Sequence, residues 1–154
     1  DDSIEKIDFV KGLGAKISEF PITLEIAKKA KKEGLYTIAG APNILLGGSH
    51  SGNLSAADAI LENAIDILCS DYYPAAMLHS LFILNEKYGQ DLCEMFKLVT
   101  INPAKAVNLD KLIGSIKEEK LADLLIIEKL ENNLPVITSV SVDGKLISKT
   151  NYRW

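Results

Sequence analysis

Cysteine is scarce in this chain: Cys69 and Cys93 are the only two, and neither sits in a Cys-x-x-Cys or Cys/His cluster. That argues against a disulfide framework and a thiolate metal site, and predicts two buried small hydrophobes in a reduced, cytoplasmic compartment. A basic surplus is also missing, since 17 Lys and Arg face 21 Asp and Glu for a net charge of -4, so nucleic acid is not an expected partner. Long apolar runs are absent too. Stretches such as Leu81 to Leu84 fall far short of the roughly 18 residues that span a bilayer, so no membrane partner is expected. The N-terminus has none of the basic, apolar, small-residue order of a signal peptide, and no solenoid repeat or low-complexity tract occurs. What is present is 154 residues, 47% of them hydrophobic, enough for one ordinary domain with a core.

The first 90 residues alternate between helix and strand periodicity. Asp2-Ser3-Ile4-Glu5 has capping-box spacing and predicts a helix entered at residue 2, with Ile4, Ile7 and Val10 on one face and Gly12 and Gly14 at its end. Residues 15–20 are too short for a helix and stop at Pro21, and Thr23 can cap a helix through Lys32 that Gly34 ends. Residues 35–40 read as a second strand, followed by a long Gly/Ser/Asn loop to Asn53. Ser55 to Asp58 caps another helix, and residues 65–70 form a third strand. Pro74 suits the first residue of a helix reaching Tyr88, where Gly89 stops it. Asp91 and Glu94 open a helix to about Val99, and Asn102-Pro103 starts a short last turn.

Strands alternating with helices imply parallel βαβ units. From Gly114 onward the chain reads as β only: residues 121–127, then 136–142, a two-residue Asp143-Gly144 turn, and 145–148. A boundary is therefore expected near residue 110, with 1–110 as an α/β part and 111–154 as a β part. The first helix has no strand before it, and the β segment lacks a partner for its second face. The expectation is the end of a larger protein whose uncovered edges favour a homo-oligomer.

In parallel α/β folds ligands sit at the carboxyl ends of the strands, so the residues after each strand are the candidates. Asp71, after Ile67-Leu68-Cys69, can ligate a metal or accept a proton, or it can cap the following helix. Glu19, after the first strand, is either a similar carboxylate or half of a structural salt bridge. Gly47-Gly48-Ser49-His50-Ser51-Gly52-Asn53 offers backbone N–H groups and one imidazole to a phosphate, or is a surface loop; it is not a Walker loop, because no Lys follows. His79 lies among apolar residues and reads as a core histidine. Lys28-Lys29 and Lys31-Lys32 read as a solvated helix face rather than a phosphate or partner patch.

The order of Asp71, Thr100-Ile101-Asn102-Pro103-Ala104, Gly114-Ser115-Ile116 and Ala122-Asp123-Leu124 resembles the end of the amidohydrolase superfamily. Two positions depart from that pattern, with Asn108 and Glu119 where Gly is usual. Asn tolerates a left-handed backbone, and Glu119 is expected to mark a different turn. Within the superfamily, Ile17-Ser18-Glu19-Phe20-Pro21, Gly40-Ala41-Pro42-Asn43, the Gly47 to Asn53 string and Ser70-Asp71-Tyr72 resemble the metal-dependent diphosphatases of phosphonate use.

The resemblance implies the C-terminal part of a (β/α)8 TIM barrel, strands six to eight, followed by the last strands of a small β-sandwich. It implies pyrophosphate release from a small phosphorylated substrate. Asp71 becomes a metal ligand and the base for the attacking water, and Glu19 stands where a metal-binding His is often found. Ser49, His50, Ser51 and Asn53 become candidates to hold phosphate, and the cofactor is a divalent metal, zinc. The remaining ligands would lie outside this chain, so the chain alone is expected to be inactive. The alternatives are another amidohydrolase, such as a deaminase or dihydroorotase-like enzyme, or a non-catalytic fragment serving as an oligomerisation module.

Overall fold

The computed structural model describes residues 2–48 and 54–152. Short strands alternate with helices in the first part: α1 (Ile4–Gly12), β1 (Ile17–Glu19), α2 (Leu24–Lys32), β2 (Tyr36–Gly40), α3 (Ala41–Leu45), α4 (Ala56–Leu61), β3 (Ile67–Cys69) and α5 (Ala76–Tyr88). Helices α6 (Leu92–Lys97) and α7 (Ile101–Ala106) follow, then β4 (Leu124–Lys129), β5 (Pro135–Val142) and β6 (Lys145–Lys149). The first three strands form a parallel sheet in the order β1-β2-β3, with Ser18 beside Thr37 and Ala39 beside Leu68. The last three form a separate antiparallel sheet in the order β4-β5-β6.

Local chemistry sets most of the boundaries. The Thr23 hydroxyl accepts from the Ile26 N–H at 3.2 Å, Ser55 from Asp58 at 3.3 Å and Asp91 from Glu94 at 2.9 Å, so each caps the helix it precedes. Gly89 ends α5 with φ of 68°, and Asp143-Gly144 turns the last hairpin with both φ positive, at 49° and 72°. Other expectations needed correcting. Helix α1 is capped by Ser3, which accepts from Lys6 N–H at 3.2 Å, not by Asp2, whose carboxylate pairs with Lys6 Nζ at 3.1 Å. The stretch after Gly40 is not all loop, because Pro42 in the first turn pre-sets helical φ and α3 forms. Helix α5 begins two residues past Pro74, and α7 already contains Asn102 and Pro103. Strand β4 starts at Leu124 because Leu121 N–H and Ala122 C=O are bonded to Leu112 and Gly144. Glu119 has φ of 69° and Asn108 φ of 60°, so both positions hold a left-handed backbone without glycine.

Burial corrects three further expectations. Cys93 is exposed and Cys69 half-buried, because α6 turns Met95 rather than Cys93 inward. His79 is half-buried on α5 while Ser80, Leu81 and Leu84 take the interior positions. The lysines of α2 are not simply solvated: Lys28 pairs with Glu62 at 2.8 Å, Lys29 with Glu33 at 2.8 Å, and Lys31 with Asp66 at 2.8 Å. The main core packs Ala27, Ala39, Ile44, Ala59, Leu68, Leu81, Leu84, Met95 and Leu98 between the parallel sheet and its helices. A smaller cluster of Ile7, Ile26, Ala30 and Leu35 seats α1 on α2.

Two devices fix the parallel sheet. At its amino end the buried Thr37 hydroxyl donates to Ala64 C=O at 2.7 Å and accepts from Asp66 N–H at 3.1 Å. Asp66 Oδ2 also accepts from Thr37 N–H at 3.2 Å, so β2 and β3 are locked in register. On the outer edge of β3, Leu68 N–H donates to Leu98 C=O at 2.9 Å, and Asn102 Nδ2 donates to Asp66 C=O at 2.8 Å. The antiparallel sheet joins α5 through Lys129, whose Nζ is 2.5 Å from Glu86 Oε1 and 5.1 Å from the Phe82 ring centre. Much of that sheet is exposed, including Leu125, Ile126, Leu146 and Ile147. Among the described residues no helix is long and apolar enough to cross a membrane.

Candidate active site

The carboxyl ends of all three parallel strands meet at one place. Strand β1 ends in Glu19, with Phe20 following; β2 ends in Gly40; β3 ends in Cys69, with Asp71 two residues on. Gly40 is what lets them converge. A Cβ there would lie 3.2 Å from Asp71 Oδ2 and 3.5 Å from Phe20 Cε1, so the carboxylate and the ring both lean over bare backbone. Asp71 and Phe20 reach these positions with φ of 50° and 49°, a region L-residues avoid and one that clusters at functional sites. Asp71 does not cap α5, because the cap position is Ala75 and no side chain bonds there. Its carboxylate is therefore held at the strand mouth by backbone geometry rather than by a capping role.

A pocket of about 300 Å³ opens above these strand ends, with Phe20, Pro21, Ile22, Ile38, Gly40, Asn43, Leu54, Asp71 and Tyr72 among the residues around it. Asn43 ties two elements together: its Oδ1 accepts from Ala56 N–H at 2.8 Å and its Nδ2 donates to Leu54 C=O at 3.2 Å. Gly48 N–H donates to Asn43 C=O at 2.9 Å, and Leu54 N–H to Ile22 C=O at 3.0 Å. Gly48, within the Gly-rich string, and Leu54, just after it, both line the pocket and are pinned there by these bonds. Ser49, His50, Ser51 and Asn53 themselves lie outside the described residues.

Glu19 is exposed at the end of β1, beside Ile38 in register. Its charge and that of Asp71 both reach the Cys69 thiol. Burial pushes that thiol above its ordinary pKa, a hydrogen bond with the Asp71 backbone pulls it down, and the two carboxylates push it up again. Cys69 is thus a protonated thiol at neutral pH, not a nucleophile.

The metal expectation meets a limit here. Among the described residues no three His, Cys, Asp or Glu side chains gather closely enough to hold an ion. Asp71 and Glu19 are carboxylates of the right chemistry, but two such groups do not complete a site. The described lining also carries a single charge, that of Asp71, so an anionic ligand must find its positive counterpart elsewhere. Sequence reasoning found Asp71 and Glu19 from their place after strands. It quoted Gly40, Asn43, Phe20 and Tyr72 without giving them roles, and a glycine closing a short strand was the available signal for close approach.

Comparison with known proteins bears on this arrangement. The amidohydrolase family pattern matches residues 2–148. The α-D-ribose 1-methylphosphonate 5-triphosphate diphosphatase of Escherichia coli K12 is 43% identical over 126 residues, covering 80% of this chain and 33% of that protein. An adenine deaminase of Clostridium botulinum (strain 657 / Type Ba4) is 33% identical over 101 residues, covering 59% of this chain and 16% of that protein. Among solved structures, an amidohydrolase from Thermotoga maritima MSB8 superimposes with a TM-score of 0.63 at 21% identity, covering 82% of this chain and 35% of that one. The A. niger ochratoxinase does so with a TM-score of 0.64 at 21% identity, covering 93% and 39%. The structural likenesses speak for the fold alone, and the chain spans at most about a third of the length of the curated relatives named. The family pattern and the sequence identity settle the family: this chain belongs to the amidohydrolases.

Proposed function

We propose that this chain is the C-terminal part of a (β/α)8-barrel hydrolase that releases pyrophosphate from a ribose 5-triphosphate ester carrying methylphosphonate at C1. The observation that carries the reading is the 43% identity to the Escherichia coli diphosphatase over four-fifths of the chain. The strand-end geometry supports it. In this reading β1, β2 and β3 are barrel strands six, seven and eight, the barrel part ends near residue 110, and β4 to β6 belong to a small β-sandwich. Asp71 accepts the proton of the attacking water through a carboxylate oxygen, and Ser49, His50, Ser51 and Asn53 hold phosphate oxygens. A divalent cation, zinc, would take Asp71 as one ligand and Glu19 as another, with its remaining ligands beyond the described residues. The exposed faces of the antiparallel sheet fit burial in a larger assembly or a homo-oligomer.

The second reading is a deaminase, favoured by the 33% identity to adenine deaminase over 59% of the chain. Assaying the enzyme that carries this chain for pyrophosphate from the ribose triphosphate ester, and for ammonia from adenine, separates the two. Asp71→Asn keeps the side chain's size but removes the charge that takes the proton, so kcat is expected to fall about 10²-fold or more with KM little changed. His50→Ala should raise KM more than it lowers kcat, because a phosphate donor acts in ground and transition states alike. A folded, fully active Asp71→Asn variant overturns the assignment of Asp71.

A further inference from the structure

We propose that Phe20 is a specificity-determining residue, an aromatic platform that carries the pentose ring of the substrate. The inference rests on the diphosphatase reading and adds which part of the substrate the strand-end pocket takes.

The backbone gives the first argument. Phe20 has φ of 49°, a conformation that is an outlier for a bulky residue, and it precedes Pro21, which itself favours an extended residue 20. The position is held from the β2 side, since Phe20 N–H donates to Ile38 C=O at 3.0 Å and continues the β1-β2 ladder by one step. Strain of this kind persists where the surrounding structure imposes it, and it re-aims a side chain. Here it brings the ring over Gly40, with Cε1 within 3.5 Å of where a Cβ would stand.

The second argument is what the ring does there. Phe20 belongs to neither buried core cluster and is 41% exposed at the pocket. It therefore offers an apolar face to the pocket, and Tyr72 adds a second aromatic group to the same lining. The third argument is polarity. Beside Phe20 the described lining offers Ile22, Ile38 and Leu54. Phenyl and alkyl groups give phosphate oxygens no hydrogen bond and suit the uncharged, weakly polar part of the substrate. The C–H bonds of a furanose are the positive end of small dipoles and pack on the negative face of an aromatic ring. The pentose thus lies over Phe20, and the phosphate chain runs past the ring towards Asp71, the base of the proposed reaction.

The test compares two substrates in the enzyme that carries this chain: the ribose triphosphate ester, and inorganic tripolyphosphate, which has no sugar. Phe20→Leu keeps apolar bulk but removes the aromatic face, and the kcat/KM ratio of ester over tripolyphosphate is expected to fall about tenfold. Phe20→Tyr should restore the ratio. A ratio unchanged in Phe20→Leu, in a variant with the wild-type melting temperature, overturns the proposal. Should the leucine variant fold poorly, Phe20→Gly, which relieves the backbone strain, is expected to show the same fall in the ratio, and an unchanged ratio there overturns the proposal as well. A second readout does not depend on turnover: the Phe20 ring-proton resonances should shift on titration with a methyl riboside and not with tripolyphosphate. The opposite pattern overturns the platform. A riboside-induced shift in an enzyme that releases no pyrophosphate would keep the platform and remove the diphosphatase reading instead.

Discussion

Replacing Gly40 by alanine separates stability from chemistry at this site. Gly40 has φ of -82° and ψ of 129°, an ordinary extended conformation, so alanine costs nothing in backbone strain. Restricting the unfolded chain should even favour the variant by about 0.4–1 kcal/mol. Against this stands the new methyl group, 3.2 Å from Asp71 Oδ2 and 3.5 Å from Phe20 Cε1. Both neighbours are ends of side chains with room to turn, so a few tenths of an ångström relieve the contact and the net stability change should stay within about 1 kcal/mol. Chemistry tolerates less. A base must stay within hydrogen-bond reach of its proton, and a misplacement of about 1 Å can cost 10²-fold, so a shift of a few tenths should lower kcat by roughly three- to tenfold. Urea unfolding and pyrophosphate release on the same preparation test both halves. A stability loss above about 2 kcal/mol would mean that the space over Gly40 is closed by something rigid. An unchanged kcat, alongside an inactive Asp71→Asn variant, would mean that the carboxylate works from another position.

Gly114→Ala should behave in the opposite way, because φ is 86° and the added Cβ would meet Ala104 Cβ at 2.9 Å and Ile101 Cα and Thr100 C=O at 3.0 Å. Strain plus overpacking against backbone predicts a loss of about 2–4 kcal/mol in urea, and a loss under about 1 kcal/mol would refute it. Thr37→Val leaves Ala64 C=O and Asp66 N–H without their hydroxyl partner and should cost about 1–3 kcal/mol, measured by the same unfolding. Glu33 is held down from 4.5 to a pKa of about 2, first by its hydrogen bond with Lys11 and then by that with Lys29. A depressed carboxyl stabilises the fold above its unfolded pKa and loses that contribution as pH falls from about 4.5 towards 2. Glu33→Gln should therefore narrow its gap to the wild type across that acid window; a gap constant down to pH 2 would contradict the pairing.

How far the sequence carried depended on the range of the forces involved. Helices announced by a hydroxyl or carboxylate three residues before a backbone N–H, at Thr23, Ser55 and Asp91, formed where that local chemistry put them. The helix expected to enter at residue 2 is capped one residue later, by Ser3, while the Asp2 carboxylate pairs with Lys6. The start of β4 was shifted by bonds from Leu121 to Leu112 and from Gly144 to Ala122, contacts across a turn that no period reveals. The site followed the same rule. Asp71 was visible as a carboxylate after a strand, whereas the closeness of Asp71, Phe20 and Gly40 belongs to three strands distant in sequence. The positive φ of Phe20 had no signal in the sequence at all, since phenylalanine before proline reads as extended.

The motifs that identify the family and the residues that would choose a reaction are physically different things in this chain. Asn102, from the Thr-x-Asn-Pro-Ala segment, donates to Asp66 C=O, and Leu98, just before that segment, accepts from Leu68 N–H, so the α6–α7 stretch satisfies the outer edge of β3 at its amino half. Backbone groups there need partners whatever substrate is bound at the other end of the strand. Such an edge contact is indifferent to the reaction, so similarity to a diphosphatase and to an adenine deaminase involves no contradiction. In the proposed reading discrimination comes from the carboxyl ends, where Phe20, Gly40, Asp71 and Tyr72 line the pocket. Exchanging residues at that end should change the substrate while leaving the sheet intact. Exchanging Asn102 should weaken the sheet with one substrate as much as with another.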